Sequence, residues 1–356
     1  MSRRLLLLLA ALASLMALPA IASATMAYTG TSKYPAGSNL PIIVSNNDGT
    51  GARVLGVTIT GWEPVISPNG RTIAYTSILP GPGWNEELHF VNVRTGAMID
   101  TNMQCSSPVW APNSSAVACT TNMLTAGGRL RGTLLRTVAP EALPVTTTTV
   151  WSGTGYSIEG YSWSPDSSKI AWGQAELARR NPTALLRWRS ALGTGGIKKL
   201  GAGSEPVWGP LRIAYVRSTP ATVRGDAWRY TTVYTVRPTS IRTVKRLSTY
   251  KARGLMNGPM PLYWTPNGKS VVGNLVGEDY IRPMRISATS GRLFLFGPTN
   301  SAVAAVSANS QSALVYGNFG GGGKQNALVT PFVKSQSYVT AITNAGYVSV
   351  SADWNP

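Results

Sequence analysis

The sequence predicts an all-β protein folded as a seven-bladed β-propeller, with a six-bladed ring as the alternative. Three observations predict this fold. A strand–turn–strand pattern recurs along the whole chain, its last copy is incomplete, and the missing strands are found near the N-terminus. Beyond the first 24 residues, no useful window shows the 3.6-residue apolar periodicity of a helix.

The first 24 residues have the pattern of a secretory signal peptide. Arg3 and Arg4 precede a Leu/Ala-rich run, and Ala22-Ser23-Ala24 has the small-x-small form of a cleavage site. The apolar run is shorter than the ~20 residues that a membrane-spanning helix needs. We therefore expect a signal peptide over 1–24, a single propeller domain over 25–356, and export to the periplasm or the cell exterior.

The repeat is seen most clearly in "EPVISPNGRTIAY" and "GYSWSPDSSKIAW", where a strand, a turn and a second strand follow one another. Aligning the copies on the residue before the Ser-Pro step gives spacings of 44, 53, 45, 56, 42 and 44 residues. Propeller blades repeat at about 40–45 residues. The aligned residues, called anchors below, are Ile66, Trp110, Trp163, Trp208, Trp264, Val306 and Val350.

Each full unit continues with a third strand, such as residues 87–93, and a fourth, such as residues 196–201. The seventh unit ends after its first strand, and residues 25–30, 39–49 and 52–58 match the second, third and fourth strands. The N-terminal strands are therefore predicted to pair with the C-terminal strand and close the ring. The last two copies lack the proline of the turn, which keeps the six-bladed alternative open.

The anchors are expected to pack between neighbouring blades, while Pro-Asn/Asp-Gly/Ser chemistry forms the turn. A platform for stacking carbohydrate is the alternative role for the four anchor tryptophans.

The segments "WSPDSSKIAW", "EPVISPNGRTIAYTS" and "IIVSNNDGTGARVLG" resemble the TolB-type propeller repeat, also called PD40. In that family a W-S-P-D-G turn precedes an I-A-F/Y strand, and a D-G-x-x-x-x-L turn precedes the outer strand. The resemblance covers essentially the whole mature chain and implies the propeller fold. The mature chain is expected to differ from TolB in two ways: it starts directly in the propeller, without the N-terminal α/β domain, and it has seven units. TolB's role in envelope integrity is therefore not carried over.

Two cysteines, Cys105 and Cys119, remain in the mature chain, and in an exported protein they are predicted to form a disulfide. Two unpaired thiols are the alternative. A metal site is not predicted, because His89 is the only histidine and carboxylates are not clustered. No cofactor is predicted either.

Catalytic motifs are weak. The chain has no G-x-S-x-G elbow, and His89 is expected to be a surface residue of an outer strand. The loop "GNFGGGGKQ" lacks the first Gly and the Ser/Thr of a phosphate loop and joins two strands. A seven-bladed lyase family with a similar repeat acts on oligogalacturonate with several histidines around a metal, and this chain has one histidine.

Glu63 and Glu205 occupy the same repeat position, three residues before an anchor, and are predicted to lie at one mouth of the central channel. A pair of carboxylates there could perform acid–base chemistry. The alternative is that they bind backbone amides or a neighbouring arginine.

Positive charge is concentrated in residues 169–253, which hold 17 of the 32 Lys/Arg and three acidic residues. This asymmetry indicates a surface that faces an anionic partner, or else a solubilising exterior. Arg187, Arg189, Lys245 and Arg246 are the candidate binding residues.

The sequence therefore predicts a monomeric, exported, non-enzymatic binding module that docks an envelope protein or an anionic glycan or lipid. Peripheral contact with a membrane is compatible with its charge, and nucleic acid is not expected because no nucleic-acid module is present. The alternative function is a lyase or hydrolase that acts on an anionic polysaccharide at the channel mouth.

Overall fold

The fold is taken from a computed structural model. It describes residues 25–29, 40–46, 50–59, 64–79, 86–125, 127, 129–138, 145–177, 184–223, 226–253, 258–277, 280–307, 309–318, 325–332, 340–341 and 352–354.

The described residues form 28 strands and no helix. In chain order the strands are β1 (Thr25–Thr29), β2 (Leu40–Asn46), β3 (Arg53–Ile59), β4 (Val65–Ile66), β5 (Thr72–Ile78), β6 (Glu86–Asn92), β7 (Met98–Gln104), β8 (Ser106–Trp110), β9 (Ala116–Leu124), β10 (Leu130–Val138), β11 (Thr147–Thr154), β12 (Tyr156–Trp163), β13 (Lys169–Glu176), β14 (Leu185–Ser190), β15 (Lys198–Ala202), β16 (Ser204–Trp208), β17 (Ile213–Val223), β18 (Asp226–Arg237), β19 (Ser240–Arg253), β20 (Gly258–Trp264), β21 (Ser270–Val276), β22 (Ile281–Ser287), β23 (Leu293–Leu295), β24 (Ser301–Val306), β25 (Ser312–Asn318), β26 (Gln325–Pro331), β27 (Thr340–Ala341) and β28 (Ala352–Trp354). Within these ranges, nothing is both helical and apolar over a length that could cross a membrane.

The strands form seven groups of four, which confirms the seven-bladed propeller and removes the six-bladed alternative. Blades 1 to 6 are β4–β7, β8–β11, β12–β15, β16–β19, β20–β23 and β24–β27, and blade 7 is β28 with β1, β2 and β3. Blades 2 and 3 are also joined by a short parallel contact, in which Arg131 of β10 pairs with Tyr156 of β12.

The ring is closed as the sequence predicts, by strands from the two ends of the chain. β28 pairs antiparallel with β1, with Met26 opposite Trp354 and Tyr28 opposite Ala352. Because this pairing completes blade 7, it removes the free edge that an incomplete last blade would leave.

The hydrophobic core lies between the blades. Ile42 and Leu55 of blade 7 share one cluster with Ile73 of blade 1, and Ile213 of blade 4 shares another with Leu186 of blade 3. The second strands are buried on both faces, as in β5 and β21. In β5, Ile73 packs against blade 7 and Ala74 against blade 2, so both faces of the strand are covered by neighbouring blades.

The anchor tryptophans connect neighbouring blades through their indole N–H groups. Nε1 of Trp110 donates to the carbonyl of Val65 at 2.8 Å, and Nε1 of Trp163 donates to that of Val109 at 2.9 Å. Trp264 makes the same bond to Val207 at 2.9 Å. In each case the acceptor lies one residue before the anchor position of the preceding blade, so these three anchors lie between blades, as the sequence predicts; the anchor Val350 lies outside the described residues.

The repeat turn is held by its own side chains. In blade 1, Oγ of Ser67 donates to Oδ1 of Asn69 at 2.7 Å, and the N–H of Thr72 donates to the same Oγ at 3.0 Å. Blade 3 has Asp166 at the Asn69 position, and hydrogen bonds from Ser164 and Ser168 hold the pKa of this carboxyl well below its usual range. These turns mark one end of the propeller, called the turn end below.

Neighbouring turns also bind each other at the turn end. Ser114 and Ser167 have the left-handed φ of 62° and 59° that glycine adopts in the equivalent Gly70, where φ is 69°. Their hydroxyls accept the N–H of Asn69 at 2.9 Å and of Asn113 at 3.1 Å in the preceding blade. The cost of the left-handed backbone is therefore offset by a bond between blades.

Cys105 and Cys119 form the predicted disulfide, which confirms the pairing. Their Cα atoms are 5.7 Å apart, within the usual range. The bond joins the connection between blades 1 and 2 to the second strand of blade 2.

Trp163→Phe is expected to destabilise the fold more than Trp172→Phe does. Both changes remove the same atoms from a buried indole, but Nε1 of Trp172 has no hydrogen-bond partner among the described residues, whereas Trp163 bonds to Val109. The difference in free energy of unfolding should be about 0.5–1.5 kcal/mol, the net contribution of a typical hydrogen bond. Denaturant unfolding of the two variants measures it, and equal losses would show that the indole bond contributes nothing.

Candidate functional site at the central channel

A cavity of about 650 Å³ lies where the first strands of blades 1 to 5 meet. The first strand of each blade is its innermost strand, so a cavity lined by the first strands of five blades is part of the central channel. The lining is largely apolar, with Ile66, Leu262 and several repeat prolines, and its polar groups include Glu205 and two tyrosines.

One repeat position shapes this cavity. The residue three before the anchor has a left-handed backbone in three consecutive blades, with φ of 54° at Ser107, 72° at Gly160 and 48° at Glu205. The pairing of the first and second strands shifts register around each of these residues, as in a β-bulge. We call the end of the propeller at which these residues lie the entry end, opposite the turn end.

Glu205 lies at the entry end and lines the cavity, as predicted from the sequence. Its side chain occupies space left by a glycine, because a Cβ atom on Gly160 would lie 2.3 Å from Oε2 of Glu205. Burial raises the pKa of the Glu205 carboxyl, and the negative charge of Glu159 raises this pKa further. The channel therefore holds a carboxyl group whose charge is poorly solvated.

Two tyrosines, which were not among the residues predicted from the sequence, add polar groups to the wall. The hydroxyl of Tyr161 donates to the carbonyl of Ser107 in the preceding blade, and that of Tyr263 donates to the carbonyl of Ala304 in the next blade. Burial raises the pKa of the Tyr161 hydroxyl. Their signal in the sequence was their position one or two residues before an anchor.

Glu63, the proposed partner of Glu205, lies outside the described residues. The described lining contains no Arg or Lys beside Glu205. The described residues also contain no group of three or more His, Cys, Asp or Glu side chains that could hold a metal ion.

The four basic candidates of blades 3 and 4 have different environments. Arg189 donates to the carbonyls of Gly195 at 2.9 Å and Val150 at 3.1 Å, and Lys245 donates to those of Ala288 and Thr289 at 3.1 and 2.9 Å. Arg187 is half-buried and Arg246 is exposed. Arg189 and Lys245 thus connect neighbouring blades, and the binding of an anionic ligand by all four stays a prediction.

His89 is not the surface residue expected from the sequence, because it is only 8% exposed. Its Nε2 lies 2.5 Å from Oγ of Ser77, and its Nδ1 lies 2.7 Å from Oδ1 of Asp100. Tyr75 stacks on the imidazole with a ring-centre separation of 5.0 Å. These residues lie on adjacent strands of blade 1 and do not line the channel cavity, and only strand pairing could reveal their proximity.

No family model and no curated protein matches the sequence. Solved structures do match in fold. TolB from Acinetobacter baumannii is 14% identical with a TM-score of 0.52, and the match covers 98% of this chain and 70% of that one. The β-propeller domain of the Trilobed protease from Pyrococcus furiosus is 11% identical with a TM-score of 0.59 over 90% and 92% of the two chains, and is described as having an open velcro topology.

An oligogalacturonate lyase in complex with manganese is 11% identical with a TM-score of 0.57, over 83% of this chain and 84% of that one. At these identities the comparisons show a shared β-propeller fold, found both in TolB and in enzymes. The pairing of β28 with β1 distinguishes this chain from an open ring.

Glu205→Gln should stabilise the protein at neutral pH. Because the folded-state pKa is raised, the wild-type carboxyl favours folding most below its unfolded pKa, and this contribution is lost as pH rises through the folded pKa. The variant should therefore melt at a higher temperature than the wild type at pH 7, and the gap should shrink towards pH 4. Thermal melts across this range test it, with Glu87→Gln as a control outside the cavity; a gap that does not change with pH would contradict the expectation.

Proposed function

We propose that this protein is an exported, non-enzymatic β-propeller that binds a segment of an envelope protein at the entry end of its channel. The proposal includes cleavage after residue 24, a periplasmic or extracellular location, a monomeric propeller over residues 25–356, and a repeat of the TolB-type, PD40 kind. The repeat motifs and the likeness in fold to TolB support the last point.

The observation that carries the proposal is the channel cavity. Its wall combines apolar side chains and prolines with a few fixed polar groups, the combination typical of binding sites. The innermost strands are held by indole bonds from the next blade, so little ordering would be needed on binding.

The charge of the cavity favours a protein segment over an anionic glycan. Glu205 lines it, and Glu159 adds a second negative charge nearby. A carboxylate without a cation beside it repels a polyuronate or phosphate, but it would pair with a Lys, an Arg or an N–H donor of a partner. An anionic glycan or lipid would instead bind elsewhere on this basic protein.

A photo-crosslinking amino acid at Val109 is expected to capture a discrete partner in the envelope of the source cells. Val109 lines the cavity and is 36% exposed. The same substitution at Val54, which is 56% exposed on the outermost strand of blade 7, serves as the control. Adding Glu205→Arg should abolish the Val109 adduct, since it reverses the charge that the partner meets.

Equal adducts from both sites, or none from Val109, would remove the channel as the binding site. Adducts that persist with Glu205→Arg would show that the carboxyl does not contribute.

A hydrolase is the second candidate, and the Ser77–His89–Asp100 chain is the observation that favours it. A hydroxyl, an imidazole and a carboxylate in this order are the parts of a nucleophilic triad. Two observations argue against a hydrolase. The three side chains lie outside the cavity lining, and His89 is buried beneath Tyr75. The three groups satisfy one another's hydrogen bonds, as a structural network would.

A fluorophosphonate probe should therefore leave Ser77 unlabelled. The same network should make Asp100→Asn destabilising, by about 1 kcal/mol, because it weakens a hydrogen bond to a charged group. Labelling of Ser77 that is lost in Ser77→Ala and reduced in Asp100→Asn would establish the hydrolase instead.

A further inference from the structure

We propose that the turn end of blades 3 and 4 docks on an anionic lipid bilayer. This inference goes beyond the proposed function because it concerns the opposite end of the propeller from Glu205, and either proposal can fail alone. It rests on two independent features of the same surface, its exposed apolar side chains and its unpaired cations.

The apolar feature consists of three side chains that project from turns. Leu192 is 59% exposed and follows β14, Leu211 is 82% exposed between β16 and β17, and Ile241 is 56% exposed at the start of β19. Because strands in a blade alternate in direction, the turns after the first and third strands lie at the same end as Asp166 and its equivalents. All three side chains therefore project from the turn end.

Blades 3 and 4 are held together at this end, so these turns keep a fixed relation. Nε1 of Trp188, on β14, donates to the carbonyl of Pro238 in the turn between β18 and β19 at 3.0 Å. The rings of Trp188 and the anchor Trp208 are 5.9 Å apart in an edge-on contact. The turns that carry the three apolar side chains are therefore neighbours at the turn end.

The charged feature lies beside them. Lys198 and Lys199 begin β15, and Arg242 follows Ile241 on β19, and all three are exposed. In the part of the chain that the structure describes, no carboxylate lies within ion-pair distance of Lys198, Lys199 or Arg242.

The acids of this region lie at the other end. Glu176 ends β13, Glu205 follows the first residue of β16, and Asp226 begins β18, all at the entry end. Asp166 at the turn end is already paired with Lys169 at 3.5 Å. The acidic residues of 169–253 therefore lie away from Lys198, Lys199 and Arg242. The cations of this region occupy both ends, since Lys251 and Arg253 lie at the entry end of β19.

Exposed leucine and isoleucine flanked by Lys and Arg match the two parts of a bilayer surface. The apolar side chains can enter the boundary between headgroups and acyl chains, and the cations can meet lipid phosphates. A soluble polyanion would use the cations alone and would leave Leu211 in water. The presence of both features on one surface is what favours a membrane.

The test is co-sedimentation of the mature chain with vesicles of phosphatidylglycerol and phosphatidylcholine, compared with phosphatidylcholine alone. Binding is expected only to the anionic vesicles, and it should weaken as salt is added. Replacing Lys198, Lys199 and Arg242 with Ser should reduce the partition coefficient about 100-fold, since each cation near an anionic surface contributes roughly a factor of five.

A matched control replaces Arg71, Arg94 and Lys269 with Ser. These exposed cations lie at the turn end of blades 1 and 5, so this variant loses the same net charge. It should retain most of the binding. Leu211→Ser with Ile241→Ser keeps all charges and should reduce binding about tenfold, because it removes only the inserted apolar side chains. Thermal melts should show that all three variants fold.

Each result decides the proposal. Loss of binding in both test variants but not in the control supports bilayer docking. Equal loss in the charge control would reduce the effect to net charge and overturn the assigned surface. If binding is unchanged by Leu211→Ser with Ile241→Ser and is abolished by dextran sulfate, the ligand is a soluble polyanion. Absence of binding to anionic vesicles would also overturn the proposal.

Discussion

The structure depends on contacts between blades more than on contacts within them. A single four-stranded blade has two apolar faces and cannot bury either alone, so each face is covered by a neighbour. Three anchor indoles add direction to this packing, because the N–H groups of Trp110, Trp163 and Trp264 each reach one carbonyl in the preceding blade. The ring must then close for every face to be covered, and the pairing of β28 with β1 closes it.

The same contacts determine the shape of the channel. Because the anchors fix the inner strands from one side, the residues just before them must face the axis, where neighbouring strands converge. The left-handed backbone at Ser107, Gly160 and Glu205 accommodates this convergence. Glycine and serine adopt it in two blades, and the third places a glutamate there, against the open side of Gly160. A non-glycine residue in this region is uncommon and draws attention to the site.

Much of the fold could be predicted because its signals are local and repeated. Proline, Asn and Gly fix the turns, the anchors fix the period, and the sequence of "TMAYT" already resembles a second strand without its first. The disulfide followed from there being only two cysteines in the mature chain. The His89 network could not be predicted, since Ser77, His89 and Asp100 come from three strands whose register determines their contact. The contacts of Arg189 and Lys245 could not be predicted either, because a sequence shows the charge of a side chain but not the carbonyls that it reaches.

The two ends of the propeller present different sets of turns, and this follows from its construction. Every blade returns to the same end at alternate turns, so a bias in the residues of those turns accumulates on one surface. In blades 3 and 4, Lys198, Lys199 and Arg242 lie with three exposed apolar side chains at the turns after the first and third strands, and the acidic residues lie at the opposite strand ends. A rigid ring keeps these two surfaces apart, so one can hold the protein at a boundary while the channel mouth faces away from it.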